Sequence, residues 1–329
     1  MKRTTSVIAS LFLGISTLFA VDDNTVVVTF DGSTATVEIA TNISNYVSDM
    51  SDGSSHVKLI QSASFNGNTI GEISYILSGS SDDGEFYLEG SYKCIVELNG
   101  LTLTNPSGPA INIQNGKRVE VSAKNGTVNT LTDGANEDYN GCYHCKGHTK
   151  FKGKGTLNII GNSKHAIYSK EYVEMKNLTV NVTSAIKDGI HCKEYFLMEG
   201  GTLNISGVQD DGIQVELNGT VSTGVMADHE DEDSGNFYQE DGTITIADYN
   251  GKAIKADGSI TFSGGKQNFD TEDITENAIN GIEEILSSTN NGLQAVYDLN
   301  GRQRKANGRP QKGVFILRQT NKTTKIITK

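Results

Sequence analysis

Residues 163–175 read SKHAIYSKEYVEM and residues 186–198 read IKDGIHCKEYFLM, so nearly the same line returns after 23 positions. Each line holds a small residue followed by an apolar one, AI or GI, and we use the apolar residue as an anchor. The anchors recur at intervals of 32, 24, 23, 23 and 41 residues, and they are Ile111, Tyr143, Ile167, Ile190, Ile213 and Ile254. A recurring interval of this size indicates stacked structural repeats.

Equivalent positions in successive repeats form columns that keep their residue type. The column before the anchor is always small, and the columns six and eight positions after it are mostly apolar. We assign to the sixth position Thr149, Val173, Phe196, Gly219 and Ile260, and to the eighth Phe151, Met175, Met198, Val221 and Phe262. A third alternating segment then follows, at 156–160, 178–182, 202–206 and 243–247. Three short strands separated by Gly and Asn turns predict one coil of a parallel β-helix.

Two stretches account for the longer intervals, and we predict both as loops inserted into the periodic scaffold. They are residues 130–141 and residues 227–242. The second contains the acidic run HEDEDSGNFYQED, whose spacing does not match the calcium loop of an EF-hand. A solvated loop is therefore the favoured interpretation of this run.

We predict an all-β fold, namely a right-handed single-stranded parallel β-helix over residues 55–269. Residues 21–54 are predicted as an N-terminal β cap, because an uncapped solenoid exposes apolar core and unpaired strand edges. Residues 270–290 read as a linker or short helix, and residues 291–329 as a small C-terminal β module. A β-sandwich is the alternative, but sandwiches do not keep small residues in register at a fixed interval.

Composition and charge agree with this interpretation and exclude one class of partner. Glycine accounts for 36 of the 329 residues, proline for three, and tryptophan is absent, which is typical of strands and turns. The net charge is −12 and the isoelectric point is near 5.0. Nucleic acid is disfavoured as a partner because neutralising phosphates requires clustered Lys and Arg.

The first twenty residues have the layout of a secretory signal peptide. Lys2 and Arg3 precede a short apolar run that ends at Ala20 and is followed by Asp22 and Asp23. The run is too short to span a bilayer comfortably, and no later stretch is apolar enough to do so. We therefore predict cleavage after Ala20 and a secreted, surface-attached or periplasmic protein that is monomeric.

Four cysteines, Cys94, Cys142, Cys145 and Cys192, would lie in an oxidising compartment after export. Cys145 and Cys192 are expected two coils apart, roughly 10 Å, which is beyond disulfide reach. The segment CYHCKGH also invites a zinc interpretation with His144 and His148, but a second ligand pair at a suitable distance is missing. The cysteines share columns with other small residues, so we favour packing as small hydrophobic side chains.

The column directly after the anchor points outward if the anchors point inward. It holds His144, Tyr168, His191, Gln214 and Lys255. We expect an exposed ladder of rings, amides and one cation across which sugar units could lie, although an ordinary polar surface remains the alternative. A second ladder places Lys170 and Glu171 over Lys193 and Glu194, with Tyr172 over Tyr195, and we interpret it as solvated charge.

Acidic residues cluster two positions before the anchor, at Asp188 and Asp211, with Asp210 beside them. Carboxylates one coil apart repel each other without a counter-ion, and calcium takes six to eight oxygen ligands from such clusters. We therefore predict a calcium site, while a simple turn-forming role of Asp before Gly is the alternative. If the protein were a polysaccharide lyase, Lys187 and Lys255 would be the candidate bases.

Several segments resemble exported carbohydrate-binding β-helix proteins common in Bacteroidetes, which are similar to a calcium-containing clostridial β-helix that binds cellulose and acid sugars. The resemblance covers about residues 22–270 and includes YILSGSSDDGEFYLEG, KGHTKFKGKGTLNI, KHAIYSKEYVEM and DGIHCKEYFLMEGGTLNIS. It implies a right-handed parallel β-helix with bound calcium that binds pectin-like or other plant polysaccharide. The tail, with YDLNGR, KGVFIL and KIITK, resembles a type IX secretion sorting domain.

The family's D-G-I-H corner is matched by residues 188–191 and, in part, by residues 211–213, where Gln214 replaces the histidine. Lys164, His165 and Lys252 stand where the resemblance implies acidic residues, so fewer calcium sites are expected. Our interpretation is a secreted, calcium-stabilised polysaccharide-binding protein that uses His144, Tyr168, Lys187, His191, Gln214 and Lys255. The alternatives are a calcium-dependent lyase acting by β-elimination and a non-catalytic surface adhesin.

Overall fold

The computed structural model describes residues 21–219, 229, 232–276, 293–298, 303–304, 313–319 and 322–328. The predicted signal peptide and most of the predicted linker lie outside the described residues. Within the described part of the chain, no helix is long and apolar enough to cross a membrane.

The amino-terminal part begins with a hairpin and continues into the first turns of a solenoid. One 3-10 turn, Thr41–Ile43, and one short helix, α1 (Gly67–Ile70), interrupt these strands. The strands are β1 (Thr25–Asp31), β2 (Thr34–Ile39), β3 (Val47–Asp49), β4 (His56–Gln61), β5 (Ile73–Ser81), β6 (Glu85–Gly90) and β7 (Cys94–Asn105).

The next part of the chain repeats a coil of three strands. The strands are β8 (Ile111–Asn115), β9 (Val119–Ala123), β10 (Val128–Asp133), β11 (Gly141–Cys145), β12 (Thr149–Gly153), β13 (Thr156–Ile160), β14 (His165–Ser169), β15 (Val173–Lys176), β16 (Thr179–Ser184), β17 (Ile190–Lys193), β18 (Tyr195–Met198), β19 (Thr202–Ile205), β20 (Ile213–Glu216), β21 (Asn236–Gln239), β22 (Thr243–Ile246), β23 (Ile254–Ala256), β24 (Ile260–Phe262), β25 (Lys266–Asn268) and β26 (Ile274–Glu276).

The three strands of each coil build three walls around one core. The first strands lie in a ten-stranded sheet, which we call the first wall and in which all pairs are parallel except β3 with β4. Second and third strands form the second and third walls. The long strand β7 turns the corner between these last two walls, because its first half pairs with β9 and its second half with β10. The architecture is a parallel β-helix, as predicted from the repeat.

The anchors lie directly above one another, as the repeat predicts. Tyr143 pairs with Ile111 and Ile167, Ile167 with Ile190, Ile190 with Ile213, and Ile213 with Ile254. All of these anchors are fully buried. Burying the same apolar position in every coil gives one continuous hydrophobic core.

A ladder of asparagine side chains connects coils on the third wall. The amide of Asn181 donates to Oδ1 of Asn158 at 2.8 Å, and the amide of Asn204 donates to Oδ1 of Asn181 at 2.8 Å. The register pairs these three residues on neighbouring strands. Identical polar residues in successive coils therefore satisfy one another.

The segment predicted as an N-terminal β cap contains a hairpin. Strand β1 pairs antiparallel with β2 and parallel with β5, and its residues Val26, Val28 and Phe30 are buried. The hairpin thereby continues the sheet beyond β5 and covers core that the end of the solenoid would otherwise expose.

Two details of the predicted register are wrong. In the fifth complete coil, Phe237 and Gln239 occupy the columns that we assigned to Gly219 and Val221. The insertion follows the first strand of that coil, and residues 236–239 return to the wall as β21. Likewise, Thr130–Asp133 belong to β10, so the earlier insertion starts only after this strand.

The solenoid also extends past the predicted boundary at residue 269. Strand β26 adds one more layer to the first wall, where Ile274 pairs with Ile254. Its segment looked acidic and mildly helical in sequence, but the apolar Ile274 continues the anchor column. Further along, β27 (Leu293–Asp298), β28 (Gln303–Arg304), β29 (Gly313–Gln319) and β30 (Lys322–Thr328) form a four-stranded antiparallel sheet.

All four cysteines lie in the described part of the chain, where they are buried free thiols. Burial raises the pKa of each thiol, so the thiolate, which is the metal ligand and nucleophile, is disfavoured. Ser169 separates Cys145 from Cys192 in the same column, which confirms the expected separation of two coils. The cysteines serve as small core side chains.

The column of small residues is required by close packing at the corner between the third and first walls. A Cβ atom on Gly189 would lie 2.7 Å from the carbonyl oxygen of Gly212 and 2.7 Å from Cγ2 of Ile205.

We expect Gly189→Ala to lower the free energy of unfolding by about 1–3 kcal/mol through overpacking. Urea denaturation measures this change. Gly116→Ala is the matched control because a Cβ there meets nothing within 4 Å; equal losses in both variants would contradict the packing argument.

Asp133 is a buried carboxylate at the end of β10. Its Oδ1 accepts a hydrogen bond from the backbone N–H of Asn162 at 2.5 Å, while Oδ2 has no hydrogen-bond partner among the described residues. Burial raises the pKa of Asp133 to about 6. A raised folded-state pKa contributes stability that is present below the ordinary value of 3.8 and is lost as the pH rises through about 6.

We therefore expect Asp133→Asn, which keeps the acceptor and removes the charge, to stabilise the protein by about 1–2 kcal/mol at pH 8. At pH 4 the gain should vanish, because the native carboxyl is then protonated. Thermal melting of the wild type and the variant at both pH values measures the difference. Asp138→Asn, on the exposed loop that follows, is the control, and an equal gain there would argue against burial as the cause.

Candidate functional site

The five residues that follow the anchors form one column on the outside of the first wall. His144 pairs with Tyr168, Tyr168 with His191, His191 with Gln214, and Gln214 with Lys255. Strand pairing continues the column from His144 to Asn112. The structure therefore brings these predicted site residues together, one coil apart. We call this column the outer ladder.

The rings of the outer ladder stack on one another. The ring centroids of His144 and Tyr168 are 5.1 Å apart, and those of Tyr168 and His191 are 5.6 Å apart, with nearly parallel planes in both pairs. His144 and His191 are each only 8% exposed, which corrects the expectation of an exposed ladder. Because neighbouring strands lie about 4.8 Å apart, each ring covers the face of the next and mainly leaves ring edges for a ligand.

Burial also fixes the charge of His144. Burial lowers the pKa of His144 to about 4, and the nearby ammonium of Lys164 makes a smaller contribution in the same direction. This imidazole is therefore neutral at neutral pH and offers hydrogen bonds rather than charge. Its Nδ1 already accepts a hydrogen bond from the backbone N–H of Asn140 at 3.2 Å.

The more accessible groups lie around the stacked rings. Tyr168, Gln214 and Lys255 are half-buried, whereas Lys187 is exposed on the turn that precedes β17. The amide of Gln214 donates to Oε1 of Glu216 at 3.1 Å. Hydroxyl, amide and ammonium groups thus border the same surface, and these are the groups that hydrogen-bond sugar hydroxyls and pair with sugar carboxylates.

Asp188 is the central group of the corner beside the outer ladder. It is 1% exposed, and its Oδ2 lies 3.0 Å from Nδ1 of His191 and 3.1 Å from Nδ1 of His165. Its Oδ1 accepts the backbone N–H of Asp211 at 3.1 Å. Burial alone would raise the pKa of Asp188, but the contacts with the two histidines outweigh it and hold the pKa below its ordinary range.

Asp210 and Asp211 lie in the next coil at the same corner, and their carboxylates come within 4.8 Å of that of Asp188. Oδ1 of Asp211 accepts the backbone N–H of Lys252 at 2.7 Å. Oδ2 forms an ion pair with Nζ of Lys255 at 3.2 Å, yet this buried oxygen accepts no hydrogen bond from the described residues. Burial, followed by the charges of Asp188 and Asp211, raises the pKa of Asp210.

Some of the carboxylate oxygens at this corner could bind a hard cation, whereas others are already engaged. The carboxylate of Asp210 and Oδ2 of Asp211 are suitable oxygen ligands for calcium, and a cation would relieve the crowding of negative charge. The carboxylate of Asp188 is already engaged on both oxygens, and Lys255 competes for Asp211. The described side chains therefore fit a site that rests mainly on Asp210 and Asp211.

A second outward cluster lies at the corner between the first and second walls, where we had predicted only solvated charge. Glu194, Tyr172 and Tyr195 are buried, and the two tyrosine rings stack at a centroid distance of 4.7 Å. Nε2 of His148 lies 2.8 Å from Oε2 of Glu171 and 3.4 Å from Oε2 of Glu194. The prediction of a solvated ladder is wrong here because the rings pack on one another and cover the carboxylate.

The sequence predicted the stacking in this cluster, but we predicted neither its burial nor the place of His148 in it. The tripeptide KEY occurs at 170–172 and again at 193–195, one coil apart. His148 precedes the paired residue Thr149 just as Tyr172 precedes Val173. His148 therefore belongs to the tyrosine column, and its ring lies 4.3 Å from that of Tyr172.

The fold and the outer ladder define a β-helix with a polar and aromatic external face. A model of the family described as carbohydrate-binding domain-containing proteins matches residues 66–304, which is more than half of the chain. The chain belongs to this family.

One curated relative and one solved structure are similar to this chain. A carbohydrate-binding domain-containing protein of Acetivibrio thermocellus is 24% identical over 118 residues, which cover 32% of this chain and 41% of that protein. The chain thus aligns with less than half of this relative's length. The solved structure titled as the polysaccharide lyase-like protein from C. thermocellum, a gadolinium derivative, is similar with a TM-score of 0.55 at 19% identity. That match covers 76% of this chain and 98% of the other, and it supports the fold.

Proposed function

We propose that the protein binds a plant polysaccharide of the pectin type along the outer ladder. The observation that carries this proposal is the alignment of His144, Tyr168, His191, Gln214 and Lys255 in consecutive coils on one face. A repeating surface is suited to a repeating ligand, since each coil can meet an equivalent part of the chain. The family membership supports carbohydrate as the ligand class.

The outer ladder and the groups around it favour hydrogen bonds and ion pairs with a sugar over stacking of sugar rings on aromatic faces. The stacked rings mainly offer edges, so Tyr168 and Gln214 would contact sugar hydroxyls. Lys187 and Lys255 supply ammonium groups that can pair with the carboxylates of acid sugars. Since the chain carries a net charge of −12, these local cations are needed to offset the repulsion of an acidic ligand.

We include calcium in this proposal as a bridging and stabilising ion. Asp210 and Asp211 would hold it, with Asp188 beside them, and it would supply positive charge to both the corner and the acid sugar. Bound calcium stabilises the folded state by about 2.7 kcal/mol at a hundredfold excess over its Kd. The raised pKa of Asp210 and its closeness to the carboxylates of Asp188 and Asp211 support an ion at this place.

The test is binding of polygalacturonate to the purified protein with calcium or with chelator. We expect Lys187→Ala and Gln214→Ala to weaken binding by about tenfold or more, which is 1.4 kcal/mol. Lys170→Ala, an exposed lysine at the other corner of the first wall, is the matched control and should bind normally. Calcium should raise the melting temperature, and Asp210→Asn should reduce that rise. Binding that survives both Lys187→Ala and Gln214→Ala would refute the proposal.

The same incubation tests for cleavage. Asp211 raises the pKa of Lys255 although burial opposes this, so Lys255 stays charged and is a poor base. We therefore expect no unsaturated products. Steady product formation that is abolished by Lys187→Ala would instead establish a lyase.

We also propose export and attachment to the cell surface of a Bacteroidetes species, with the protein acting as a monomer. The signal-like residues 1–20 and the resemblance of the tail to a type IX sorting domain support this. The described strands β27–β30 form a small antiparallel sheet, which is compatible with a separate module. Fractionation of cells that express the full chain, or a chain ending at residue 290, should show surface protein only with the tail.

A further inference from the structure

We propose that His148, Glu171 and Glu194 form a binding site for one divalent first-row transition ion, for which zinc is a suitable test ion. The three residues come from three successive coils, and they lie outside the outer ladder and its acidic corner. The proposal is independent of the proposed polysaccharide binding.

The ligand atoms converge on one point. Nε2 of His148 and the Oε2 atoms of Glu171 and Glu194 all lie within 4.8 Å of one another. Two of these separations are 2.8 and 3.4 Å. Zinc binds imidazole nitrogen and carboxylate oxygen at about 2.0–2.2 Å, so ligands around one ion must themselves be about 3 Å apart.

The two buried carboxylate oxygens share a single nearby partner. Nε2 of His148 lies 2.8 Å from Oε2 of Glu171 and 3.4 Å from Oε2 of Glu194, but one N–H cannot fully satisfy both oxygens, and no other described residue donates a hydrogen bond to either. Glu194 is 7% exposed, and its other oxygen accepts the amide of Asn218 at 3.2 Å. A buried carboxylate oxygen without a partner is costly, and an ion between the three groups would satisfy both.

The surroundings hold the ligands in place and leave a route for the ion. Gly147 occupies the coil below Glu171, and a Cβ atom there would lie 2.4 Å from the carbonyl oxygen of Lys117, so this position carries no competing side chain. Glu194 adopts a φ of 65°, whereas the other non-glycine residues with positive φ are Asn or Asp. The side chains of His148 and Glu171 are 26% and 19% exposed, so solvent reaches one side of the cluster.

The mixed nitrogen and oxygen ligand set favours a transition ion over calcium. Imidazole is a preferred ligand of zinc and its neighbours, whereas calcium takes oxygen ligands. The group formed by His165, Asp188 and His191 has the same types of ligand, but Oδ2 of Asp188 already forms a hydrogen bond with Nδ1 of His191 at 3.0 Å. In that group one carboxylate faces two imidazoles, whereas Glu171 and Glu194 share one imidazole, so the group at Asp188 needs no ion.

The experiment is calorimetric titration of zinc into chelator-treated full-length protein in the presence of excess calcium. We expect one equivalent of zinc to bind at the cluster, and Glu194→Gln and His148→Ala each to weaken this binding by at least about tenfold. Glu199→Gln removes the same charge from a half-buried residue of the same coil that pairs with Lys176, and this variant should bind zinc as the wild type does. Circular dichroism of the metal-free variants checks that they are folded.

Anomalous diffraction from zinc-soaked crystals locates the ion. An anomalous peak between His148, Glu171 and Glu194 supports the proposal, even if a second ion binds elsewhere. Failure of zinc to bind, binding that Glu194→Gln leaves unchanged, or a peak solely at His165 and His191 would overturn it.

Discussion

Replacing Asp188 with alanine is expected to lower the free energy of unfolding by about 3 kcal/mol. The substitution removes a buried carboxylate that forms hydrogen bonds with Nδ1 of His191 and with the backbone N–H of Asp211. These two groups would then remain in the protein interior without their partner. The corresponding fall in melting temperature is roughly 6–12 °C.

The dependence of this effect on pH follows from the lowered pKa of Asp188. A depressed folded-state pKa contributes stability that is fully present above the ordinary value of 3.8 and is lost as the pH falls through the folded value. The difference between wild type and Asp188→Ala should thus be complete at pH 6–7 and shrink only in strong acid. Thermal melts over this range measure it.

Two further variants separate the buried network from general loss of charge. Asp188→Asn keeps an acceptor for the N–H of Asp211 and should lose less stability than the alanine variant. Asp210→Asn changes an exposed carboxylate and, in chelator, should be nearly neutral. A loss in Asp210→Asn as large as that in Asp188→Ala would be incompatible with the burial argument.

Replacing Phe196 with alanine should destabilise the core by about 3–5 kcal/mol. Phe196 is fully buried, and its ring stacks on that of Phe237 at 5.1 Å with planes 5° apart. Val173 packs on its other side in the same column. The truncation therefore leaves a cavity between two coils that rigid strand pairing prevents from closing.

Because each coil contacts only its neighbours, this cavity should also weaken coupling along the solenoid. We expect urea denaturation to show a lower midpoint and a smaller slope, as the two ends begin to unfold separately. Hydrogen exchange should speed up most in β18 and β21. Val128→Ala, at a position that is 61% exposed, serves as the control and should change stability by less than about 0.5 kcal/mol.

The sequence was sufficient to predict the fold because stacking leaves a periodic trace. An interval of 23 residues placed Ile167 above Ile190, and the structure confirms this pairing. The prediction failed where an insertion interrupted the period. Gly219 lies one period of 23 residues after Phe196, but the insertion moves the stacked residue to Phe237, 41 positions after Phe196, and only strand pairing identifies it.

The candidate site was predictable in its membership but not in its exposure. Alternation showed that Tyr168 and His191 share one face, yet it gives no information on whether their rings cover each other. The same limitation concealed the second cluster, since Glu194 is a charged residue that the pattern places on the surface. Its burial depends on the stacked tyrosines Tyr172 and Tyr195, whose side-chain packing is a property of three coils together.

The insertion between β20 and β21 has a consequence for how such proteins diversify. It lengthens one repeat to 41 residues, yet Phe196 and Phe237 remain paired across it. Corners can therefore acquire or lose whole segments while the interior stays unchanged. Natural variation, or a designer grafting a recognition loop, could alter what one coil presents without redesigning the rest.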